Sequence, residues 1–310
     1  MRFLVLGAGA LGGYFGGRLL RGGADVTFLV RPGRAAQLRR DGLDVRGQDE
    51  EIRTRVRTIQ EGQVDGNYDV VLLCCKAYDL TDAISTIAPA MGNQSVVLPL
   101  LNGVRHIDVL TETFGAPRVL GGLTFINAAL MSDGTIQQSQ VRFNITAVGE
   151  LDGRASPRCA AIKMALEAGG IPAQVSDDIV AMMWTKFFGF ACNATITSLT
   201  RSRAGAIARS GAGVSLVSTV IEECTRVVTA EGYPPPSDWA GRIRGMFSQP
   251  DSTYGPSLLV DMEEGRRTEG EHTIGDLVER AARRGVGAPI LGAALCNLQA
   301  YEIMSNQRRP

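Results

Sequence analysis

Six residues near the amino terminus narrow the possible folds more than any others in this 310-residue chain. Gly7-Ala8-Gly9-Ala10-Leu11-Gly12 is a G-x-G-x-x-G pattern. It follows directly on the apolar run Phe3 to Leu6, opens the helical stretch Ala10 to Arg21, and precedes a second strand-like run from Asp25 to Val30. Strand, glycine turn, helix and strand together are the setting in which the pattern has a mechanism. The first glycine permits a tight turn, the second lets backbone approach a diphosphate, and the third lets helix and strand close on each other. Unpaired N–H groups at the helix start then face negative charge. The expectation is a βαβ unit that binds a dinucleotide through Gly7, Ala8, Gly9, Ala10, Leu11 and Gly12.

Further apolar runs at Asp69 to Cys75, Val96 to Leu101 and Val119 to Phe125 are spaced widely enough for helices or crossovers between them. Strand alternating with helix implies a doubly wound, mostly parallel Rossmann-type sheet. Ile126 to Gly149, with Ser-Asp-Gly at 132–134, reads as an antiparallel extension of that sheet. After Gly169-Gly170-Ile171-Pro172 the strand-like runs stop, and Asp177 and Asp178 offer a helix cap. The chain therefore divides into an α/β domain over 1–175 and an all-helical domain over 176–310. In the second, Val214, Val217, Ile221, Cys224 and Val228 recur at helical spacing as a core stripe. Ile179 to Leu199 is long and apolar enough to span a bilayer, but it carries Lys186, Asn193 and three threonines without flanking basic anchors, and reads as a buried central helix.

Lys plus Arg and Asp plus Glu both number 32, and neither the first 175 residues nor the rest carries more than one unit of net charge. That excludes the electrostatic footprint of a nucleic-acid or membrane-surface binder. Six cysteines lack any C-x-x-C, and with only two histidines no pair has metal-ligand spacing, so no metal site is expected. The amino terminus runs straight into a strand with no apolar leader and cleavage site, which points to a cytoplasmic protein.

Of the 32 basic residues, 29 are arginine and only Lys76, Lys163 and Lys186 are lysine. Arg31 stands 19 residues after Gly12, where a carboxylate would bind the ribose 2′-hydroxyl of NAD, and its fork suits a phosphate instead. Lys76 follows a strand at the carboxyl edge of the same sheet. Both cations point to NADP(H). Lys186 is the sole charged residue between Asp178 and Arg201, flanked by Trp184, Phe187, Phe188 and Phe190. Desolvation there lowers an ammonium pKa towards the range of a useful acid.

The glycine motif, Arg31, Lys76 in Cys74-Cys75-Lys76-Ala77-Tyr78, Leu101-Asn102-Gly103, Trp184-Thr185-Lys186 and Thr268-Glu269 fall in an order and spacing that resembles the ketopantoate reductases (2-dehydropantoate 2-reductases) over essentially the whole chain. The resemblance implies an NADPH-binding Rossmann domain, a helical domain, an active site in the cleft between them, and reduction of 2-dehydropantoate to pantoate on the way to pantothenate and coenzyme A. It makes Lys186 the general acid, Glu269 the carboxylate that binds the substrate hydroxyl, Asn102 a bridge between cofactor and substrate, and Ser257 the group that holds the substrate carboxylate. Arg31 and Lys76 would clamp the 2′-phosphate, and Lys163 is left as a surface residue.

The chain departs from the family pattern where asparagines follow the lysine by four and eight residues, since it has Phe190 and Ala194. Asn193 or Thr197 is the available substitute. A Phe190-lined pocket suits a bulkier or more apolar 2-oxo acid. Three readings follow: an NADPH-dependent reductase of 2-dehydropantoate, a reductase of another 2-oxo acid or an imine, and a non-catalytic NADP(H)-binding protein. The expected partner is a small 2-oxo acid, with no nucleic acid or membrane, and a homodimer is the assembly allowed for.

Overall fold

Alternate side chains of β1 (Arg2–Leu6) enter two different cores, Phe3 and Val5 on one face and Leu4 on the other. A strand buried on both faces belongs inside a sheet covered by helices on both sides. The structure, a computed structural model, describes residues 1–47, 51–66, 68–139 and 144–308. By contact it comprises two units, Met1–Leu101 with His106–Val180, and Asn102–Arg105 with Ala181–Pro310.

In chain order the first unit contains β1, α1 (Ala10–Arg21), β2 (Asp25–Leu29), α2 (Pro32–Asp41), β3 (Leu43–Arg46), β4 (Glu51–Thr54), β5 (Arg57–Ile59) and β6 (Val70–Leu73). A 3₁₀ turn at Ala77–Asp79 leads into α3 (Leu80–Ile87), followed by β7 (Val96–Pro99) and α4 (Arg105–Phe114), whose first residue belongs to the other unit. Then come β8 (Leu120–Phe125), β9 (Asn127–Leu130), β10 (Ile136–Ser139), β11 (Ile145–Glu150), α5 (Pro157–Ala168) and β12 (Ala173–Val175). The main sheet has the order β5-β2-β1-β6-β7 and is parallel throughout. Helix α1 packs Tyr14, Phe15 and Leu19 onto one face, while Leu80, Ala83 and Ile87 of α3 cover the other.

Two details differ from the sequence reading. Val119–Phe125 does not continue the parallel sheet: β8 pairs antiparallel with β11 in a three-stranded sheet with β12, and an isolated bridge, Val97↔Val119, links the two sheets. The β9–β10 hairpin forms a separate four-stranded sheet with β3 and β4. Residues 140–143 of the expected extension lie outside the described residues. The sequence reading passed over β3 and β4 because each alternates apolar with polar residues for only four positions; Asp44 of β3 pairs with Arg46 and with Arg53 opposite it.

The second unit is helical: α6 (Ile179–Thr200, beginning in the first unit), α7 (Ala204–Arg209), α8 (Gly213–Ala230), α9 (Trp239–Met246), α10 (Ser257–Glu263), a π-helical stretch at Glu271–Gly275, α11 (Asp276–Arg283) and α12 (Pro289–Arg308). Phe187, Phe188, Ala191, Cys192, Ala194 and Ile196 of α6 are fully buried, so its apolar length is that of a core helix. The α8 stripe packs as expected at Val217, Ile221, Cys224 and Val228. Val214, in the first turn, instead points out and is 75% exposed.

Candidate active site

The glycine turn fits a diphosphate. Gly7 has φ +86°, a conformation that penalises side chains, and its N–H donates to the Leu29 carbonyl at 2.9 Å, fastening the turn to β2. A Cβ on Gly12 would lie 2.1 Å from the Gly7 carbonyl oxygen, so helix and turn can meet only here without a side chain. A Cβ on Gly9 would touch nothing within 4 Å. The first turn of α1 has no acidic residue to oppose an anion. Arg34, which the sequence reading did not single out, braces this turn: its Nε donates to the Ala8 carbonyl at 2.9 Å and its Nη1 to the Gly134 carbonyl at 3.1 Å.

Arg31 and Lys76 come to the same edge of the parallel sheet, each just beyond a strand's carboxyl end. Arg31 caps α2 with 80% of its side chain exposed, and its guanidinium pairs at 3.1 Å with Asp79. Asp79 ends the 3₁₀ turn that begins after Lys76, and its N–H donates to the Lys76 carbonyl. That carboxylate beside the predicted phosphate cations was not foreseen, because its role depends on a turn bringing it back towards β2.

In the second unit, Lys186 donates from Nζ to Oδ1 of Asn102 at 3.3 Å. Burial lowers the Lys186 ammonium to about 8, and the negative charge of Glu269 acts in the opposite sense. Lys186, Asn102 and Glu269, distant in sequence, are thus brought together. The stretch of α6 around the lysine is fixed by packing: Trp184 stacks on Tyr233 with centroids 5.1 Å apart, and the Arg280 guanidinium lies 5.1 Å over the Trp184 ring. Arg280 is itself held by Asp276 at 2.9 Å and Glu231 at 2.8 Å.

Asn102 sits in a turn with Gly103 at φ +83°. A Cβ there would lie 3.4 Å from the His272 carbonyl oxygen and 3.6 Å from the imidazole Cδ2, so His272 packs against the asparagine's turn. Burial first, and the Arg105 charge second, push the His272 pKa down to about 4. It is a neutral packing residue at physiological pH and adds no charge beside Lys186 and Asn102.

Asn193 follows Lys186 by seven residues, nearly two helical turns, so both leave α6 on the same side. It is 6% exposed, its Nδ2 donates to the Tyr254 hydroxyl at 3.0 Å, and its Oδ1 has no hydrogen-bond partner. Thr197 spends its hydroxyl on the Asn193 backbone carbonyl at 2.7 Å. Ala194 is fully buried while Phe190 is partly exposed. Ser257 opens α10 as an exposed residue, and Lys163 pairs with Glu167 at the surface. The Tyr254 partnership had no sequence signal, since 61 positions separate the pair.

A glycine turn shaped for a diphosphate in the first unit and a lysine of lowered pKa in the second are features that a dinucleotide-dependent oxidoreductase would need. Comparison with known proteins makes the assignment specific. The family "Ketopantoate reductase PanE/ApbA" matches residues 3–153 and its C-terminal counterpart matches residues 178–302. The chain belongs to the ketopantoate reductase family. It is 37% identical over 304 residues to the uncharacterized oxidoreductase YkpB of Bacillus subtilis, covering 97% of this chain and 99% of that one. It is 30% identical over 296 residues to 2-dehydropantoate 2-reductase of Halobacterium salinarum, covering 94% and 95%. The crystal structure of a PanE/ApbA family ketopantoate reductase from Ralstonia eutropha matches with TM-score 0.88 at 25% identity, over 99% and 100% of the two chains. D-mandelate dehydrogenase with NADH and anilino(oxo)acetate shares the fold with TM-score 0.86 at 21% identity, again over 99% and 100%.

Proposed function

We propose that this protein is an NADPH-dependent reductase of a 2-oxo acid, with 2-dehydropantoate as substrate and pantoate as product, a step towards pantothenate and coenzyme A. The observation that carries the proposal is the part-buried Lys186, whose ammonium donates to Asn102 and is lowered to about 8, with the charge of Glu269 acting against that fall. The glycine turn would hold the diphosphate of a reduced nicotinamide dinucleotide, which would supply the hydride for C2 of the substrate.

The rest of the chemistry belongs to the chain. Lys186 gives one proton to the carbonyl oxygen as it becomes an alcohol, and recovers it from solvent before the next turnover. Asn102 restrains the ammonium through its Oδ1. Glu269 binds the substrate hydroxyl and, by its charge, keeps Lys186 protonated near neutral pH. Ser257 and Asn193 complete the substrate contacts, and Arg31 with Lys76 selects the 2′-phosphate.

A second reading, a bulkier 2-oxo acid, is favoured by Phe190, which is partly exposed one turn beyond Lys186 while Ala194 is sealed in the core. The test is a panel of 2-oxo acids, including 2-dehydropantoate and aromatic analogues, with imines as controls. Each is mixed with purified protein and NADPH or NADH, and loss of reduced-nicotinamide absorbance is followed. Turnover highest with 2-dehydropantoate and NADPH supports the first reading, and turnover highest with an aromatic acid supports the second. Binding of NADPH with no turnover of any acid or imine sinks both.

A further inference from the structure

The reaction described above leaves Glu302 without a task, yet this residue of α12 is bonded to the immediate neighbour of Glu269. Its Oε1 accepts two hydrogen bonds from Thr268, one from the backbone N–H at 2.6 Å and one from Oγ1 at 2.8 Å. Thr268 and Glu269 are each 6% exposed, so these bonds form where water does not compete freely. A carboxylate acceptor makes them stronger than neutral hydrogen bonds. On the other side of Glu269, its carbonyl accepts from the Thr273 N–H at 3.1 Å and from the Thr273 hydroxyl at 2.8 Å.

Tyr301, adjacent to Glu302, donates its hydroxyl to the Arg266 carbonyl at 2.7 Å, and Arg266 closes onto Asp261 at 2.8 Å. Two consecutive residues of a 20-residue helix thus hold the approach to Glu269. A rigid helix is the kind of support that fixes a functional side chain within a fraction of an ångström.

We propose that Glu302 is a positioning residue which, through Thr268, sets the direction in which Glu269 presents its carboxylate. The proposal rests on the reading of Glu269 as the substrate-binding carboxylate. Glu302→Ala then raises KM for the 2-oxo acid by roughly tenfold and leaves KM for NADPH unchanged. Glu302→Gln, whose amide oxygen still accepts both bonds, restores most of the loss.

A second readout needs no turnover. The chain has only Lys76, Lys163 and Lys186, so ¹³C labelling of lysine gives three resolvable titrations. Since the Glu269 charge supports the Lys186 ammonium, Glu302→Ala and Glu269→Ala both lower the Lys186 midpoint, and the double variant lowers it no further than Glu269→Ala alone. Effects that add in the double variant, or a Glu302→Ala protein with unchanged KM and unchanged Lys186 midpoint, overturn the proposal. If Glu269→Ala itself leaves KM for every acid unchanged, the reading of Glu269 fails, and the lysine titration still decides whether Glu302 places that carboxylate. Should Glu302→Ala not fold, Thr268→Val removes one of the two bonds. It shifts both readouts in the same direction by less, and no shift overturns the proposal.

Discussion

The Lys186 ammonium of α6 donates to the side-chain oxygen of Asn102 at 3.3 Å, joining residues 84 positions apart. A long, flexible lysine is a poor acid unless something restrains it, and an amide oxygen restrains without neutralising. The charge of Glu269 favours the ammonium and offsets in part the desolvation that disfavours it.

Replacing Lys186 with alanine removes the proposed proton donor and lowers kcat by about 10²–10⁴, with NADPH affinity unchanged in a fluorescence titration. Lys186→Met keeps much of the packed volume and discards a buried charge, so its thermal midpoint equals or exceeds that of the parent. A Lys186→Ala protein with parental kcat ends the proposed role.

The pH profile follows from the depressed lysine. In the proposed mechanism reduction requires the ammonium, so kcat/KM for keto-acid reduction is flat below about 8 and falls as pH rises through that value. Asn102→Ala moves the fall to lower pH, because it deletes an acceptor for the charged form. For stability the sign is opposite: the folded state holds the Lys186 proton less tightly than the unfolded chain does. The cost of burying the charge is full below about 8 and relieved as pH climbs towards the ordinary value of 10.5. Steady-state kinetics across pH and a matching series of unfolding curves check both.

On the proposed reading, Arg31 and its partner Asp79 govern coenzyme choice at the sheet edge. Asp79→Asn releases the Arg31 fork and removes a charge that repels phosphate, lowering KM for NADPH by several-fold with little change for NADH. Arg31→Ala raises KM for NADPH by roughly tenfold and spares NADH. Equal effects on the two coenzymes would show that neither side chain meets the 2′-phosphate.

Gly12→Ala forces a methyl group to within 2.1 Å of the Gly7 carbonyl oxygen, and that neighbour is backbone. The turn must open, at a cost of about 1–3 kcal/mol in stability and most of the dinucleotide affinity. Gly9→Ala meets no neighbour, so it leaves the thermal midpoint of the free protein nearly unchanged while weakening dinucleotide binding. Thermal unfolding with and without NADPH separates the two.

The order of elements in the first unit was legible because local signals agreed: α1 begins at Ala10 and ends at Arg21 as its glycine turn and apolar spacing require, and β6 and β7 lie within the apolar runs that announced them. Strand partners were less legible. The run of small and apolar residues in β8 has the look of a parallel-sheet strand, and only its register against β11, from Phe125↔Ile145 to Leu120↔Glu150, makes it antiparallel. Strands β3 and β4 alternate apolar with polar residues for only four positions each, too short a run to stand out from loop sequence, and their partnership appears only in the ladder, with Asp44 opposite Arg53.

Residue types and local spacing by themselves determined the dinucleotide turn, the two cations at the sheet edge and the lone lysine in an apolar helix. Such features depend on what a residue is and on its immediate neighbours: a missing Cβ, a fixed charge, a desolvating flank. Tertiary structure alone decided the pairings, Asn102 with Lys186, Asp79 with Arg31, Tyr254 with Asn193 and Glu302 with Thr268. Each joins residues from separate elements, and a hydrogen bond is sensitive to tenths of an ångström. Chain order carries no such distance until the helices and sheets have packed.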